Sequence, residues 1–528
     1  MNLWTPKRVE TEFRAAFGGT KLILVSNREP YIHQDSPSGI RCEQPAGGLT
    51  SALDPVMQAL AGVWVAWGSG KADRRTVDRE DRIGVPPWDP SYMLRRVWLD
   101  PEDVEGYYNG FSNQTLWPLC HMLVEKARFR RRYWEAYRKT NRLFARVAVQ
   151  EASRHRDPII WLQDYHLALA PGEIRKRLPA ASIALFWHIP WPAWEHFRIL
   201  PQKVQLLEGL LSCDLLGFHL DQFCDNFLEC VSRELDARID PNRRTISYRG
   251  RMIQLGAFPI SIDERQFHAF ATSPRTEKRM KRLLARPELQ GQLIGIGVDR
   301  MDYSKGILER LAALDLFFKN YPQFRGKMTF IQVSAPSRTR IKAYQELRAR
   351  VFQRIEKINR RYGGKRWKPV LHISEKLTQV DIAAYYRLAD FAIISSLQDG
   401  MNLVAKEYIA CQVEEKGVIL LSEFAGAHED MDLALPINPY DTEDFAWKIK
   451  SALELPAEEK KRRMRAMRIS LRSNNVYRWI GSNLRAIHQD RRRRQSNLPF
   501  SQKSPSLTDS SVAELSPDLS PAGTSRAG

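Results

Sequence analysis

Short apolar runs alternate with longer stretches at helical spacing over most of this chain. Residues 21–26 (KLILVS), 63–67 (VWVAW), 159–162, 183–187 and 214–218 each read as a strand buried on both faces. A second series follows at 293–298, 328–333, 370–373, 391–395 and 418–422. Helical patterns lie between them, at 49–60, 202–212, 220–234 and, longest, 338–361; residues 114–154 read as helices interrupted near Arg128. Strands separated by helices predict βαβ units on a parallel sheet. Two such series predict an α/β protein of two doubly wound halves meeting near residue 258. Helices at 441–453, 456–472 and 475–491 close the fold. Residues 1–20 read as a lead-in of one or two helical turns. The stretch after Pro30 reads as a polar loop, because proline blocks strand continuation.

Residues 391–412 (FAIISSLQDGMNLVAKEYIACQ) hold the most informative turn. A buried strand runs into a polar turn ending at Asp399 and Gly400, and apolar positions from Asn402 onward fall at helical spacing. Strand, glycine turn and helix start together present free backbone N–H groups to an anion. Glu407, about one and a half turns into that helix, is placed to accept bonds from ribose hydroxyls. The plainer alternative makes Asp399 a helix cap and Glu407 a surface residue.

Facing α/β halves put the C-terminal ends of both sheets on one cleft, where ligands of such folds bind. The turns that follow strands bring Arg28, Gly47, Gly48, Trp67, Asp164, His166 and His188 there from one half. The other half brings Arg300, Asp302, Lys305, Arg338, Asp399 and Glu407. Arg300 and Lys305, in GVDRMDYSKG, suit a diphosphate, one as a bidentate fork and one as a point charge. The alternative is a salt-bridge network with Asp299 and Asp302. His188 suits a sugar or nucleotide contact, or a structural bond to backbone. Trp187 and Trp191 beside it suit core packing or sugar stacking equally.

Composition changes this picture in few places. The chain has 528 residues and 43% hydrophobic content, ordinary for two globular domains, but a formal charge of +20. Much of the surplus lies at 128–132, 460–468 and 491–494, which read as solvated helix faces. No nucleic-acid motif accompanies these runs, so nucleic acid is not an expected partner. The six cysteines have no CxxC or His/Cys ligand spacing and read as reduced thiols of a cytoplasmic protein. No apolar run reaches the length of a membrane span, and no signal-peptide pattern opens the chain. GxSxG, HExxH and GxxxxGK[ST] are absent, and no metal-ligand cluster is evident. After Arg494 the composition turns to Ser, Pro, Thr and Gly, which predicts a disordered tail over 495–528.

The strings KLILVSNREP, PAGGL, GYYNGFSNQTLWP, WLQDYHL, FWHIPWP, GVDRMDYSKGI, SAPSR, SLQDGMNLVAKEY and SEFAGA occur in one order over about residues 21–445. Together they resemble the trehalose-6-phosphate synthase family of retaining glycosyltransferases (GT20). The resemblance implies a GT-B fold: a Rossmann-like acceptor-binding domain over 1–257 and a nucleotide-sugar-binding one over 258–474. A helix over 475–494 is then expected to return to the first domain.

It also implies transfer of glucose from a nucleotide-glucose, UDP-glucose being expected, to glucose 6-phosphate, without cofactor or metal. Gly47 and Gly48 are then expected at the donor diphosphate, and Arg300 and Lys305 hold its charge. Asp399, Gly400, Met401, Asn402 and Leu403 contact the donor, and Glu407 binds the ribose. Asp164 and His188 sit at the transferred glucose. Arg28, Tyr108 and Arg338 hold the acceptor phosphate, with Trp67 and Trp117 nearby. The family's front-face mechanism, in which a donor phosphate oxygen takes the acceptor proton, is expected with it.

The chain departs from the family's usual strings at three places. Gln163 replaces the histidine of HDYHL, Gln398 the arginine of LRDGMN, and Ser261 the glycine of PIGID. A glycerol 3-phosphate acceptor and a silent sugar-phosphate sensor are the alternatives carried forward. Donor base and oligomeric state are left open.

Overall fold

The computed structural model describes residues 3–45, 48–375 and 377–496. Gly47 and residues 497–528 of the expected tail therefore lie outside the described residues, while its first two residues, 495–496, belong to the last helix, Val476–Ser496.

Two parallel sheets dominate. In the first, seven adjacent strands run parallel: Arg251–Ala257, Leu215–Phe218, Ser182–Phe186, Ile159–Gln163, Leu22–Arg28, Val63–Trp67 and Tyr92–Val97. The chain winds outward from Leu22–Arg28 in one direction, then returns past it through Ile159–Gln163 in the other. The turning point lies between these two strands, with Ser26 opposite Gln163. Antiparallel strands extend both edges: Arg82–Val85 at one, Thr245–Tyr248 and Arg238–Asp240 at the other. In the second sheet all six strands are parallel, in the order Val370–Ile373, Met328–Ala335, Leu293–Arg300, Phe391–Ile394, Val418–Ser422 and Leu435–Ile437. That is the doubly wound order 3-2-1-4-5-6, whose turning point lies between Leu293–Arg300 and Phe391–Ile394.

Four differences from the sequence reading have local causes. The lead-in is a three-turn helix, Pro6–Phe17, because Thr5 caps it, proline occupies its first turn, and Val9, Phe13 and Phe17 form one buried stripe. The polar loop after Pro30 is a hairpin, Ile32–Ser36 with Gly39–Glu43. The helix placed at 338 starts at Lys342, because Arg338 takes a left-handed backbone (φ 46°). The helical region placed at 114 begins earlier, at Pro101, and Val104–Leu116 is a wide-bore π-helical stretch. There Gly106 and Gly110 let the backbone touch Ala136 and Tyr133, where a Cβ would come within 2.5 Å.

Val476–Ser496 crosses back over the first sheet, resting Trp479 on Trp161 (ring centroids 5.6 Å) and Phe186 (5.1 Å). Asn475 donates to the Trp4 carbonyl (3.0 Å), and Arg494 reaches buried Asp214. Of the basic runs, 128–132 is solvated. Arg463 and Arg465 pair with Glu459 and Glu415, and Arg491 with Asp157.

Candidate functional site

Both turning points open on one crevice, and the predicted residues sit on its walls. From the first sheet, Arg28 ends the strand Leu22–Arg28, and its side chain donates to the Tyr108 hydroxyl (3.3 Å). Behind it a buried cluster fixes the loop: Arg96 Nε donates to Glu29 (2.9 Å) and pairs with Asp73 (2.9 Å), while Glu29 accepts from the Ser69 amide (2.7 Å). Tyr108 lies between Trp67 (6.0 Å) and the stacked ring of His166 (5.8 Å). Burial alone would raise its pKa, but Arg28, Arg338 and Arg300 pull the phenol down to about 8.

Asp164 follows Gln163 with φ 77° and caps the next turn, accepting the amides of Tyr165 (2.9 Å) and His188 (3.1 Å) on one oxygen. Its other oxygen faces His166 Nδ1 at 3.6 Å. Burial would raise its pKa, yet His166, His188 and the Tyr165 amide hold it below the usual carboxylate value. The ring of His188 rests against Phe186 (4.6 Å), His219 (5.4 Å) and Trp479 (5.9 Å), and burial pushes its pKa down to about 4. Trp187 and Trp191 are 0% and 1% exposed, so they pack the core and present no stacking surface.

The second sheet contributes charge. Lys305 Nζ meets Asp399 at 2.5 Å, and Asp399 also accepts from Ser396 (3.1 Å) and Asn402 (3.0 Å). Burial would raise the Asp399 pKa; Lys305 outweighs it and brings it to about 2. Asn402 (φ 86°) caps Leu403–Cys411 by accepting the Ala405 amide (3.2 Å), and Met401 is buried. Gly400 is pressed against the first half, where a Cβ would come within 2.5 Å of the His188 carbonyl. Glu407 is half-buried, 3.4 Å from the Tyr386 hydroxyl, and burial pushes its pKa up to about 7. Gly48 begins the helix Gly48–Leu60.

The expected salt-bridge alternative for Arg300 and Lys305 does not form. Asp299 pairs with buried Arg310 (2.6 Å) and Asp302 with Arg338 (2.9 Å). The Arg300 side chain makes no hydrogen bond or ion pair with any described residue, and its guanidinium lies 5.3 Å over the Trp117 ring. Arg338 lies over the same ring at 4.0 Å, bonds Tyr344 and reaches Tyr165 (3.5 Å). Trp117 in turn donates to Asp302 (3.3 Å), so the first half carries the platform and the second half the cations. Trp117 is only 6% exposed and serves as that platform rather than as an open wall. Tyr344, Tyr165 and Ser396 were missed by sequence reasoning, because a hydroxyl on a helix or in a turn carries no distinguishing pattern.

Three of the ten described non-glycine residues with positive φ, Asp164, Arg338 and Asn402, fall in this crevice. Strained backbone gathered at one place marks a site whose side chains are aimed at the expense of local stability.

With this geometry in place, comparison with known proteins decides the family. The sequence profile of Glycosyltransferase family 20 matches residues 20–489. The chain belongs to that family. It is 36% identical over 452 residues to the UDP-forming alpha,alpha-trehalose-phosphate synthase A of Dictyostelium discoideum, which covers 85% of this chain and 60% of that relative. The chain thus spans about 60% of the length of the first curated relatives it matches. Among solved structures, the UDP-forming synthase of Burkholderia xenovorans, in complex with glucose-6-phosphate, matches with TM-score 0.79 and 31% identity. The alignment covers 88% of this chain and 99% of that one. The E. coli trehalose-6-phosphate protein bound with UDP-2-fluoro glucose matches equally (TM-score 0.79, 31%), covering 89% and 99%. The fold is accordingly GT-B, two Rossmann-like sheets facing one crevice. Among the described residues, no helix is long and apolar enough to cross a membrane.

Proposed function

We propose that this chain transfers glucose from UDP-glucose to glucose 6-phosphate, giving α,α-trehalose 6-phosphate with retention, the first step of trehalose biosynthesis. The observation that carries this reading is the crevice in which Arg28 and Tyr108 of one half face Arg300 and Arg338 of the other. Such a setting suits a phosphate dianion on the acceptor, and three cations drawing down one phenol are otherwise hard to account for. The relatives' UDP-forming names and bound ligands support the same pair of substrates.

In this reading Arg28, Tyr108 and Arg338 hold the acceptor phosphate beside Trp67 and Trp117. Gly47, Gly48 and the 399–403 turn take the donor, and Glu407 takes its ribose. The acceptor oxygen bonds to the anomeric carbon on the face from which the nucleoside diphosphate departs with its electron pair. The acceptor proton passes to a departing phosphate oxygen. Arg300 and Lys305 stabilise the charge developing on the diphosphate, which makes the reaction metal-independent. Asp164 already accepts two backbone amides, so it orients sugar hydroxyls rather than acting as a free nucleophile. A trapped covalent glucosyl-enzyme would overturn that assignment. Free thiols at all six cysteines suit a cytoplasmic location.

The test crosses UDP-, ADP- and GDP-glucose with glucose 6-phosphate and glycerol 3-phosphate, reading nucleotide release and product mass. Release that depends on glucose 6-phosphate, with a disaccharide phosphate formed, is expected. Release only with glycerol 3-phosphate, or thermal stabilisation by glucose 6-phosphate without turnover, would replace this reading.

A further inference from the structure

Gln163 stands at the last position of the strand Ile159–Gln163, beside the strand that delivers His188, with Gln163 in register with Phe186. It is fully buried, and its side-chain carbonyl meets His188 Nε2 at 2.9 Å. The Gln163 amide nitrogen, also buried, has no partner. His188 Nδ1 makes no hydrogen bond with any described residue. The imidazole is thus tied at one nitrogen and unpartnered at the other, beside the turn in which Gly400 touches the His188 carbonyl.

We infer that Gln163 is a positioning residue that fixes His188 as the tautomer protonated on Nε2, leaving Nδ1 a hydrogen-bond acceptor toward a hydroxyl of the bound sugar. A neutral imidazole carries one N–H, and the partner of one nitrogen decides the role of the other. Glutamine does this without titrating, whereas the histidine usual in the family's string gains and loses protons near neutrality. The groups facing the His188 ring agree. Phe186 and Trp479 are uncharged, and His219 is itself pushed well below its usual pKa by burial. Asp164 accepts the His188 amide, and His166 Nδ1 faces Asp164 at 3.6 Å. Asp164 is the one carboxylate among them that acts on the ring, and it does so through space, without a hydrogen bond to either ring nitrogen.

This inference rests on the proposed glycosyl transfer for its hydroxyl but not for its tautomer, so the two fail separately. Nitrogen-15 NMR of histidine-labelled protein, with His188 assigned by loss of its signals in His188→Ala, should show protonated Nε2 and bare Nδ1. Gln163→Leu should give a mixture of tautomers. Gln163→Glu keeps the shape but sets a carboxylate beside the ring and favours the imidazolium, which cannot accept at Nδ1. Its turnover relative to wild type should then fall at least fivefold between pH 8 and pH 6. A proton on Nδ1 in the wild type, an unchanged tautomer in Gln163→Leu, or a Gln163→Glu loss equal at every pH would each overturn it. Failure of the wild type to turn over would instead sink the proposed reaction and leave the tautomer measurement standing.

Discussion

The two turning points solve the same problem with opposite means. At the second sheet nearly every charge is already matched inside the protein: Lys305 with Asp399, Arg338 with Asp302, Arg310 with Asp299. At the first sheet the matched charges (Arg96 with Glu29 and Asp73) lie behind the wall, while on the wall itself Arg28 has only a phenol, beside neutral imidazoles and a carboxylate tied to backbone. A wall of paired charges is rigid before ligand arrives, because each pair's attraction only offsets the desolvation it has already undergone. A wall whose cation is unmatched gains most when an anion supplies what is missing. Arg300 breaks the pattern, because it belongs to the paired half yet has no ion-pair partner among the described residues. That makes it the cation most available to charge that appears only during the reaction.

Arg300 and Lys305 therefore separate the two behaviours, and the largest effect belongs to Arg300. Arg300→Ala should lower kcat by about 10²–10³-fold, the range for removing one donor to developing charge, with Tm falling little, because only the cation–π contact over Trp117 is lost and no hydrogen bond or ion pair with a described residue. Lys305→Ala should also cut turnover, but it strands the Asp399 carboxylate, and breaking a nearly buried pair costs on the order of 3 kcal/mol. Its Tm should fall by several degrees, partly restored in Lys305→Ala with Asp399→Asn. Equal melting temperatures for the two single variants would end the distinction between matched and unmatched cations.

The same contrast explains what the sequence made legible. The central strands of both halves follow from apolar runs of four to six residues, because both faces of a parallel sheet are covered there and no polar face dilutes the signal. Tyr92–Val97 and Arg251–Ala257 escaped because buried and partly exposed positions alternate along them, and Arg82–Val85, Thr245–Tyr248 and Leu435–Ile437 because they are short and only partly buried. Of the site, Arg28, Asp164, Arg300, Lys305 and Asp399 could be placed because each follows a readable strand. Which charge answers which could not be. Asp302 lies next to Arg300 and Lys305 in sequence yet pairs with Arg338, 36 residues away, across the end of the neighbouring strand. Nor does any pattern in Val104–Leu116 announce a π helix, where Gly106 and Gly110 let the backbone pack closely on Ala136 and Tyr133 of a distant helix.

A smaller effect tests the paired half by pH. Glu407 is a carboxylate of that half with no cation partner among the described residues, and burial lifts its pKa to about 7. A raised carboxyl favours the folded protein while protonated, so its contribution is full below about pH 4.5 and is lost as pH rises through 7. Its proposed role toward the ribose runs the other way, since the carboxylate is the stronger acceptor. The donor KM should fall several-fold from pH 6 to pH 8 in the wild type. It should stay flat over that range in Glu407→Gln, with Tm of the variant less sensitive to the same change. A wild-type donor KM independent of pH would mean that the ribose does not use this carboxylate.

The smallest effect belongs to the unmatched half and has the opposite sign. Tyr108 is half-buried, and Arg28, Arg338 and Arg300 bring its phenol down to about 8 against the pull of burial. Below that pH the neutral hydroxyl accepts from Arg28 and keeps its own proton to donate to a phosphate oxygen. Above it the phenolate would neutralise the arginines that the proposed function assigns to the acceptor phosphate, and would repel that dianion. The acceptor KM should therefore rise a few-fold between pH 7 and pH 9, while the donor KM over the same interval does not. Tyr108→Phe should carry a slightly higher acceptor KM at pH 7, having lost one donor, but no rise toward pH 9. The two curves should cross, because one variant lacks a hydrogen bond at low pH and the other gains a competing charge at high pH. Parallel curves would remove the phenol from the anion site and leave Arg28 as the only contribution of that wall.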